Sequence, residues 1–287
     1  MERRGTLTDA IDVAAPAKVN LFLHVVGRRK DRYHEIESLF VLIDLADRLT
    51  LTLRDDGKIV RKAPIDGVST EQDLAVRAAR LLKETSRVEH GVTIRLAKRI
   101  PMGAGLGGGS SDAASVLLGL NRLWRIDRPR AELEALAVTL GADVPFFVHG
   151  ENAFVQGMGE RLTPVSLPRR WIALAVPNVN VPTAEIYASP TLTRTTPRAK
   201  MSVFSESYGR NDLQAVASSR HEEVAGAAAA LASSRTGVRM SGSGASVFAL
   251  CDDEMTARRA IDALPAGVVR YVARTLAHHP LRAFARS

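Results

Sequence analysis

Between Pro101 and Asp112 the sequence reads Pro-Met-Gly-Ala-Gly-Leu-Gly-Gly-Gly-Ser-Ser-Asp, with five glycines in seven positions. Without Cβ atoms such a run takes up positive φ and lets a ligand approach the backbone closely. A strand pattern at Val92 to Leu96 precedes it, and a helical pattern from about Ser111 to Trp124 follows. The unpaired N–H groups and positive dipole end of that helix suit phosphate oxygens. Ser110 and Ser111 add hydroxyls able to cap the helix, touch a phosphate or hold a phosphate-bound Mg²⁺. The bland alternative, a glycine turn that only lets a helix pack on a sheet, is disfavoured by so dense a run.

Several phosphate-binding schemes fail on inspection. No Gly-Lys-Ser/Thr stands at the helix entrance, so a Walker loop is excluded. Gly103, Gly105 and Gly108 satisfy G-x-G-x-x-G, but about 20 residues on, where a dinucleotide fold wants an acid ending a strand, the chain reads Ile126-Asp127-Arg128-Pro129 and enters another helix. No His-Arg-Asp or Asp-Phe-Gly segment supports a protein-kinase reading.

The glycine segment joins two others, Pro16-Ala-Lys-Val-Asn-Leu-Phe-Leu and Ser241-Gly-Ser-Gly-Ala-Ser. In order and spacing the three resemble the motif pattern of the GHMP small-molecule kinases. Within that superfamily Lys18 to His24, Arg32-Tyr-His-Glu, the Gly-Leu-Gly-Gly-Gly-Ser-Ser core and Gly141-Ala-Asp-Val-Pro-Phe-Phe resemble the branch that phosphorylates 4-(cytidine 5'-diphospho)-2-C-methyl-D-erythritol in isoprenoid synthesis. The likeness runs from about residue 12 to 280.

The resemblance implies an α+β, two-domain kinase fold. Its N-terminal ribosomal-protein-S5-like β/α domain would span 1–166 and its C-terminal ferredoxin-like α+β domain 167–287, with ATP and acceptor meeting between them. It assigns ATP to Pro101, Met102, Gly103, Ala104, Gly105, Leu106, Gly107, Gly108, Gly109, Ser110 and Ser111; it names no Mg²⁺ ligand, for which the Ser110 and Ser111 hydroxyls are the candidates. Catalysis falls to Lys18 and Asp143, the carboxylate taking the acceptor's hydroxyl proton. A lysine-paired Asp is a weak base, yet phosphoryl transfer through a loose transition state asks more for positioning than for basicity. Substrate contacts fall to Asn20, to Tyr33 and Tyr187 as stacking faces for cytosine, to His34 at the base edge, and to Thr183 and Asp212 along the cleft. Asp112 stands where the family often has Asn or Ala, and its role is open. The implied partners are ATP and a cytidine-diphosphate small molecule, without nucleic acid or membrane, for a monomer or homodimer.

Positioning these residues requires both strands and helices. Alternation marks strands at Val19 to Val25 and Leu49 to Leu53; helical spacing follows Asp73, a plausible N-cap, and recurs at Ala131 to Leu140. Further strands fit Asn152 to Gln156 and Arg161 to Val165, and Ser166-Leu-Pro-Arg-Arg is the best boundary. Beyond it come a strand at Trp171 to Val176, an irregular Pro/Thr segment (190–200), a helix from Asp212 to about Ala232, strands at Gly237 to Met240 and Ser246 to Leu250, a helix at Glu254 to Leu264 and a strand at Val268 to Arg274. Ser241 to Ser246 would turn between two of these strands and present backbone N–H groups to the cleft.

Composition bounds the rest. With 287 residues, 46% hydrophobic and 24% charged, the chain is globular in type and long enough for two modest domains. The single Cys251 cannot form an internal disulfide, and neither a signal-type apolar stretch behind Arg3 and Arg4 nor a run of about 18 apolar residues occurs, so a cytoplasmic protein is expected. The net charge of +8 invites an RNA-binding reading, but 5% aromatic residues and no aromatic strand of the RNA-recognition type speak against it.

Overall fold

The computed structural model describes residues 9–31, 33–199, 208–233 and 237–286. Arg32 of the Arg-Tyr-His-Glu segment, Arg3, Arg4 and Lys200 lie outside them. Two long strands, β1 (Ala10–Arg28) and β2 (His34–Arg54), pair antiparallel. Alternation reveals only pieces of them, because Leu39 to Ile43 is buried on both faces and reads as one apolar run. Phe40 and Leu42 point into one core, Leu39, Val41 and Ile43 into another.

Next come β3 (Ile59–Arg61), α1 (Leu74–Ser86), β4 (Gly91–Ala97), α2 (Gly108–Leu123), α3 (Arg130–Val138), α4 (Val144–His149), β5 (Ala153–Gly157) and β6 (Arg161–Pro164). Asp73 caps α1, its carboxylate accepting from Ala75 N at 2.9 Å. The six strands form one sheet in the order β3-β4-β2-β5-β6, with β1 on β2. The second half supplies β7 (Trp171–Val176), α5 (Thr183–Ala188), α6 (Gln214–Arg220), α7 (Glu222–Ala232), β8 (Arg239–Met240), β9 (Val247–Cys251), α8 (Glu254–Asp262) and β10 (Val269–Arg274), its sheet ordered β10-β7-β9-β8.

The expected single helix from Asp212 to Ala232 is two helices. His221 is extended between them (φ −132°, ψ 103°), and Glu222 and Glu223 open the second, where the dipole favours negative charge. Three cores result, one between the first sheet and α1–α4, one between the two sheets, and one between the second sheet and its helices. Each fully buried Leu, Ile or Phe in them contributes roughly 1.5–3 kcal/mol.

After β10 the chain crosses back. Leu276 N donates to Leu42 O at 2.8 Å, His279 N donates to Gly150 O at 2.9 Å, and Leu281 and Ala285 are buried in the first core. A cut at 166/167 assigns this tail to the second unit, whereas its side chains complete the first. Its apolar residues are too few and too scattered among Arg and His to signal that in sequence.

Candidate active site

The glycine loop is set directly on β1. Lys18 N donates to Leu106 O at 3.0 Å, and Gly107, at φ 72°, caps α2 in the left-handed region that Gly enters without strain. A Cβ on Gly107 would stand 2.9 Å from the Phe147 ring and 3.3 Å from Lys18 Cγ. Loop and lysine therefore pack as one unit.

Cavities open on both faces of this loop. One, of about 380 Å³, is lined by Pro101 to Ser110 with Ile65, Val68, Leu74, Lys98 and Asp112. The other, of about 820 Å³, is lined by Lys18, Asn20, Tyr33, His34, Asp143, Thr183 and Tyr187, with Gly242 to Gly244 from the second half. Gly103, Gly105 and Gly107 border both. Each cavity offers what the other lacks, a helix N-terminus in the first and an ammonium–carboxylate pair in the second.

Ser111 departs from the expectation that it could hold Mg²⁺. It is fully buried and its hydroxyl donates to Pro16 O at 2.6 Å, which the β1 backbone claims before any ligand arrives. Ser110 lines the cavity. Asp112 turns to Lys98, whose Nζ lies 2.8 Å from its Oδ2 and also donates to the Asp47 carboxylate. Burial pushes Asp112 up to about 7, against the pull of Lys98. Burial alone would lower Lys98, but the two carboxylates outweigh it and hold its pKa above the ordinary value. Lys98, missed in the sequence reading, is the cation of the first cavity; Lys98-Arg99 immediately before the loop was the available signal.

In the second cavity Lys18 Nζ lies 3.6 Å from Asp143 Oδ2, 4.6 Å from the centre of the Phe40 ring and 2.7 Å from Asn20 Oδ1, to which it donates. Its side chain is only 4% exposed, and burial lowers its pKa while Asp143 opposes the shift. Asp143 sits at the start of α4 without capping it, its side chain 30% exposed and turned to Lys18.

Asn20 is expected to contact substrate; although it borders the cavity, its amide is engaged in the protein. Oδ1 accepts from Lys18 and from Gly242 N at 2.8 Å, and Nδ2 donates to Ser38 Oγ at 2.8 Å. Asp212 does not line the cleft. Its carboxylate accepts from Val25 N at 2.8 Å, Thr196 Oγ1 at 2.7 Å and Arg210 Nε at 2.8 Å, tying the second half to β1. Tyr33 stands 64% exposed at the rim, Thr183 Oγ1 pairs with Ser243 Oγ at 2.6 Å, and Tyr187 stacks on His34 with ring centres 4.9 Å apart.

This chain matches the model of the GHMP kinase N-terminal domain over residues 73–151 and that of the GHMP kinase C-terminal domain over 193–269. The chain belongs to the GHMP kinase family. Among GHMP kinases, it is 55% identical over 270 residues to the 4-diphosphocytidyl-2-C-methyl-D-erythritol kinase of Thiobacillus denitrificans, covering 94% of this chain and 97% of that one. To the kinase of the same name from Burkholderia thailandensis it is 52% identical over 284 residues, covering 96% and 97%. A crystal structure of 4-(cytidine 5'-diphospho)-2C-methyl-D-erythritol kinase superposes with a TM-score of 0.82 at 38% identity, over 92% of this chain and 99% of the other. Homoserine kinase from Cytophaga hutchinsonii shares the GHMP fold, with a TM-score of 0.68 at 19% identity over 97% of this chain and 98% of that one. Among the described residues, no helix is long and apolar enough to cross a membrane.

Proposed function

We propose that this chain transfers the γ-phosphate of ATP to the 2-hydroxyl of 4-(cytidine 5'-diphospho)-2-C-methyl-D-erythritol, giving the 2-phosphate and ADP. The observation that carries the reading is the glycine loop as common wall of two cavities, with Lys18 and Asp143 on one side and the N-terminus of α2 on the other. Near full-length identity above 50% to kinases named for this acceptor supports the substrate.

The triphosphate lies along Gly103 to Ser110, its charge met by loop N–H groups, the α2 dipole and Lys98. The acceptor's oxygen attacks the γ-phosphorus as the bond to the ADP oxygen breaks, and the hydroxyl proton passes to Asp143. Lys18, paired with Asp143 at 3.6 Å, orients the carboxylate and offsets charge on the transferring group. Asn20 keeps Lys18 aimed. Ser110, which borders the nucleotide cavity and carries a hydroxyl, fits Mg²⁺, a cation that takes oxygen donors and arrives with phosphates. Bound there, the ion would neutralise β- and γ-phosphate charge. Residues 1–166 supply the loop and the catalytic pair, and 167–275 the opposite wall through Thr183, Tyr187 and Gly242 to Gly244.

ADP release with Mg²⁺ and the cytidyl acceptor, compared with homoserine and mevalonate, tests the reading. ADP formation dependent on the cytidyl compound is the expected result. Turnover with a control acceptor alone would overturn the substrate, and silence with all three from folded protein would overturn the activity.

A further inference from the structure

Lys98 lies just before the glycine loop, and its ammonium is seated between two carboxylates. Nζ donates to Asp47 and, at 2.8 Å, to Asp112 Oδ2. The carboxylates stand behind it: their side chains are 0% and 4% exposed, against 22% for Lys98, which lines the nucleotide cavity. An ammonium has three donors, and the third meets no acceptor among the described residues. The place is an adverse one for a cation. A Cβ on Gly108, the first residue of α2, would stand 3.2 Å from Nζ, so the charge rests against the positive end of a helix. Carboxylates that hold an ammonium there, against the dipole, prepare the spot for a further anion.

The two carboxylates are bound differently. Asp47 Oδ1 accepts from Arg99 N and, at 2.8 Å, from Ile100 N, which leaves Oδ2 for Lys98. Asp47 thereby fixes both the ammonium and the two peptides that lead into Pro101. In Asp112, Oδ2 takes Lys98, while Oδ1 is buried with no partner among the described residues. The Asp112 carboxyl can turn over and still offer an oxygen to the ammonium. Asp47 cannot turn without giving up two backbone donors.

We infer that Asp47 is a positioning residue: it holds Lys98 at the N-terminus of α2 so that the third N–H of the ammonium meets a phosphate oxygen of the nucleotide. The inference rests on the reading above that lays the triphosphate along Gly103 to Ser110. It carries an asymmetry that follows from the hydrogen bonds alone. In Asp47→Asn the amide oxygen stays with Arg99 N and Ile100 N, so the NH₂ faces Lys98 and donor meets donor. The ammonium is pushed off its seat. In Asp112→Asn the amide turns its oxygen to Lys98, and the seat survives.

Calorimetric binding of ATP and of inorganic tripolyphosphate, with steady-state kinetics on both substrates, tests the inference. Asp47→Asn should weaken ATP and tripolyphosphate alike by about tenfold or more, as for a lost charge-assisted hydrogen bond. KM for ATP should rise in step while KM for the acceptor stays within about twofold. Asp112→Asn should cost several-fold less on both phosphate ligands. If Asp47→Asn fails to fold, a crystal structure of the wild type with tripolyphosphate reads the seat directly, with Lys98 Nζ expected to bridge Asp47 and a phosphate oxygen. A Lys98 that leaves Asp47, or that does not touch the phosphate, overturns the inference. So does wild-type tripolyphosphate affinity in folded Asp47→Asn, an equal loss for the acceptor, which a merely structural Asp47 would give, or an Asp112→Asn as damaging as Asp47→Asn. Those results in a protein that binds ATP remove this inference alone; a wild type that binds neither ATP nor tripolyphosphate removes the nucleotide-site reading and this inference with it.

Discussion

Ser241 and Gly105 are in direct contact: the Ser241 hydroxyl donates to the Gly105 carbonyl at 2.8 Å, and a Cβ on Gly105 would overlap the Ser241 carbonyl oxygen. The loop from the first half and the Ser-Gly-Ser-Gly turn of the second close on each other at this point.

Gly105→Ala should therefore cost more than backbone strain. At φ 74° an alanine is disfavoured by roughly 1–2 kcal/mol, and the overlap forces the two loops apart as well. Thermal denaturation should show a fall of several degrees, about 2–4 °C per kcal/mol, with KM for ATP raised. Gly267→Ala is the control: Gly267 has φ 86° but nothing within 4 Å, so it should show the strain alone and leave KM unmoved.

Asp143→Asn should lower kcat by about 10²–10⁴, the range of a lost general base, with ATP affinity kept within a few-fold. Lys18→Met should do the same. Steady-state kinetics with calorimetric ATP binding checks both; a folded Asp143→Asn enzyme at full rate would remove the assigned base.

Asn20→Ala withdraws the acceptor from Lys18 Nζ and Gly242 N together. Unpaired buried donors cost about 1–3 kcal/mol each, so kcat should fall by at least about tenfold with a drop in Tm. Asn20→Asp, which keeps the acceptor oxygen, should recover the Tm more than the rate.

His279 predicts acid lability. It is buried in the returning tail, with Nδ1 accepting from Leu281 N at 3.1 Å, and burial, aided by Arg130, lowers its pKa to about 3 from an ordinary 6.5. The folded state refuses a proton that the unfolded chain accepts, so stability contributed above pH 6.5 is lost as pH falls toward 3, with a limiting slope of about 1.4 kcal/mol per pH unit. Tm measured from pH 8 to pH 4 should fall, and His279→Gln should flatten that slope.

What the sequence made legible follows from chemistry that leaves a local mark. Gly103 to Gly109 stand out because only glycine tolerates that backbone path, and Asp73 announced α1 because a cap is written in its own residue. Lys18 and Asp143 were reached through motif context; nothing local separates Lys18 from a rim lysine or Asp143 from a turn former. Of β2 only Leu49 to Leu53 showed, because burial of Leu39 to Ile43 on both faces erases alternation there, and α4 escaped because six residues carry no helical period. Asp212 looked like a cleft acid, yet Val25 N and Thr196, distant in sequence, claim it.

The returning tail separates the order of synthesis from the order of completion. Residues 276–286 leave the ribosome after the whole second sheet, yet the hydrophobic interior of the first half is finished only when Leu281 and Ala285 arrive. A nascent first half therefore waits with an unsealed seam while its partner is made. A chain cut short anywhere in the second half keeps its glycine loop and its catalytic pair, but loses the strap that seals the scaffold beneath them.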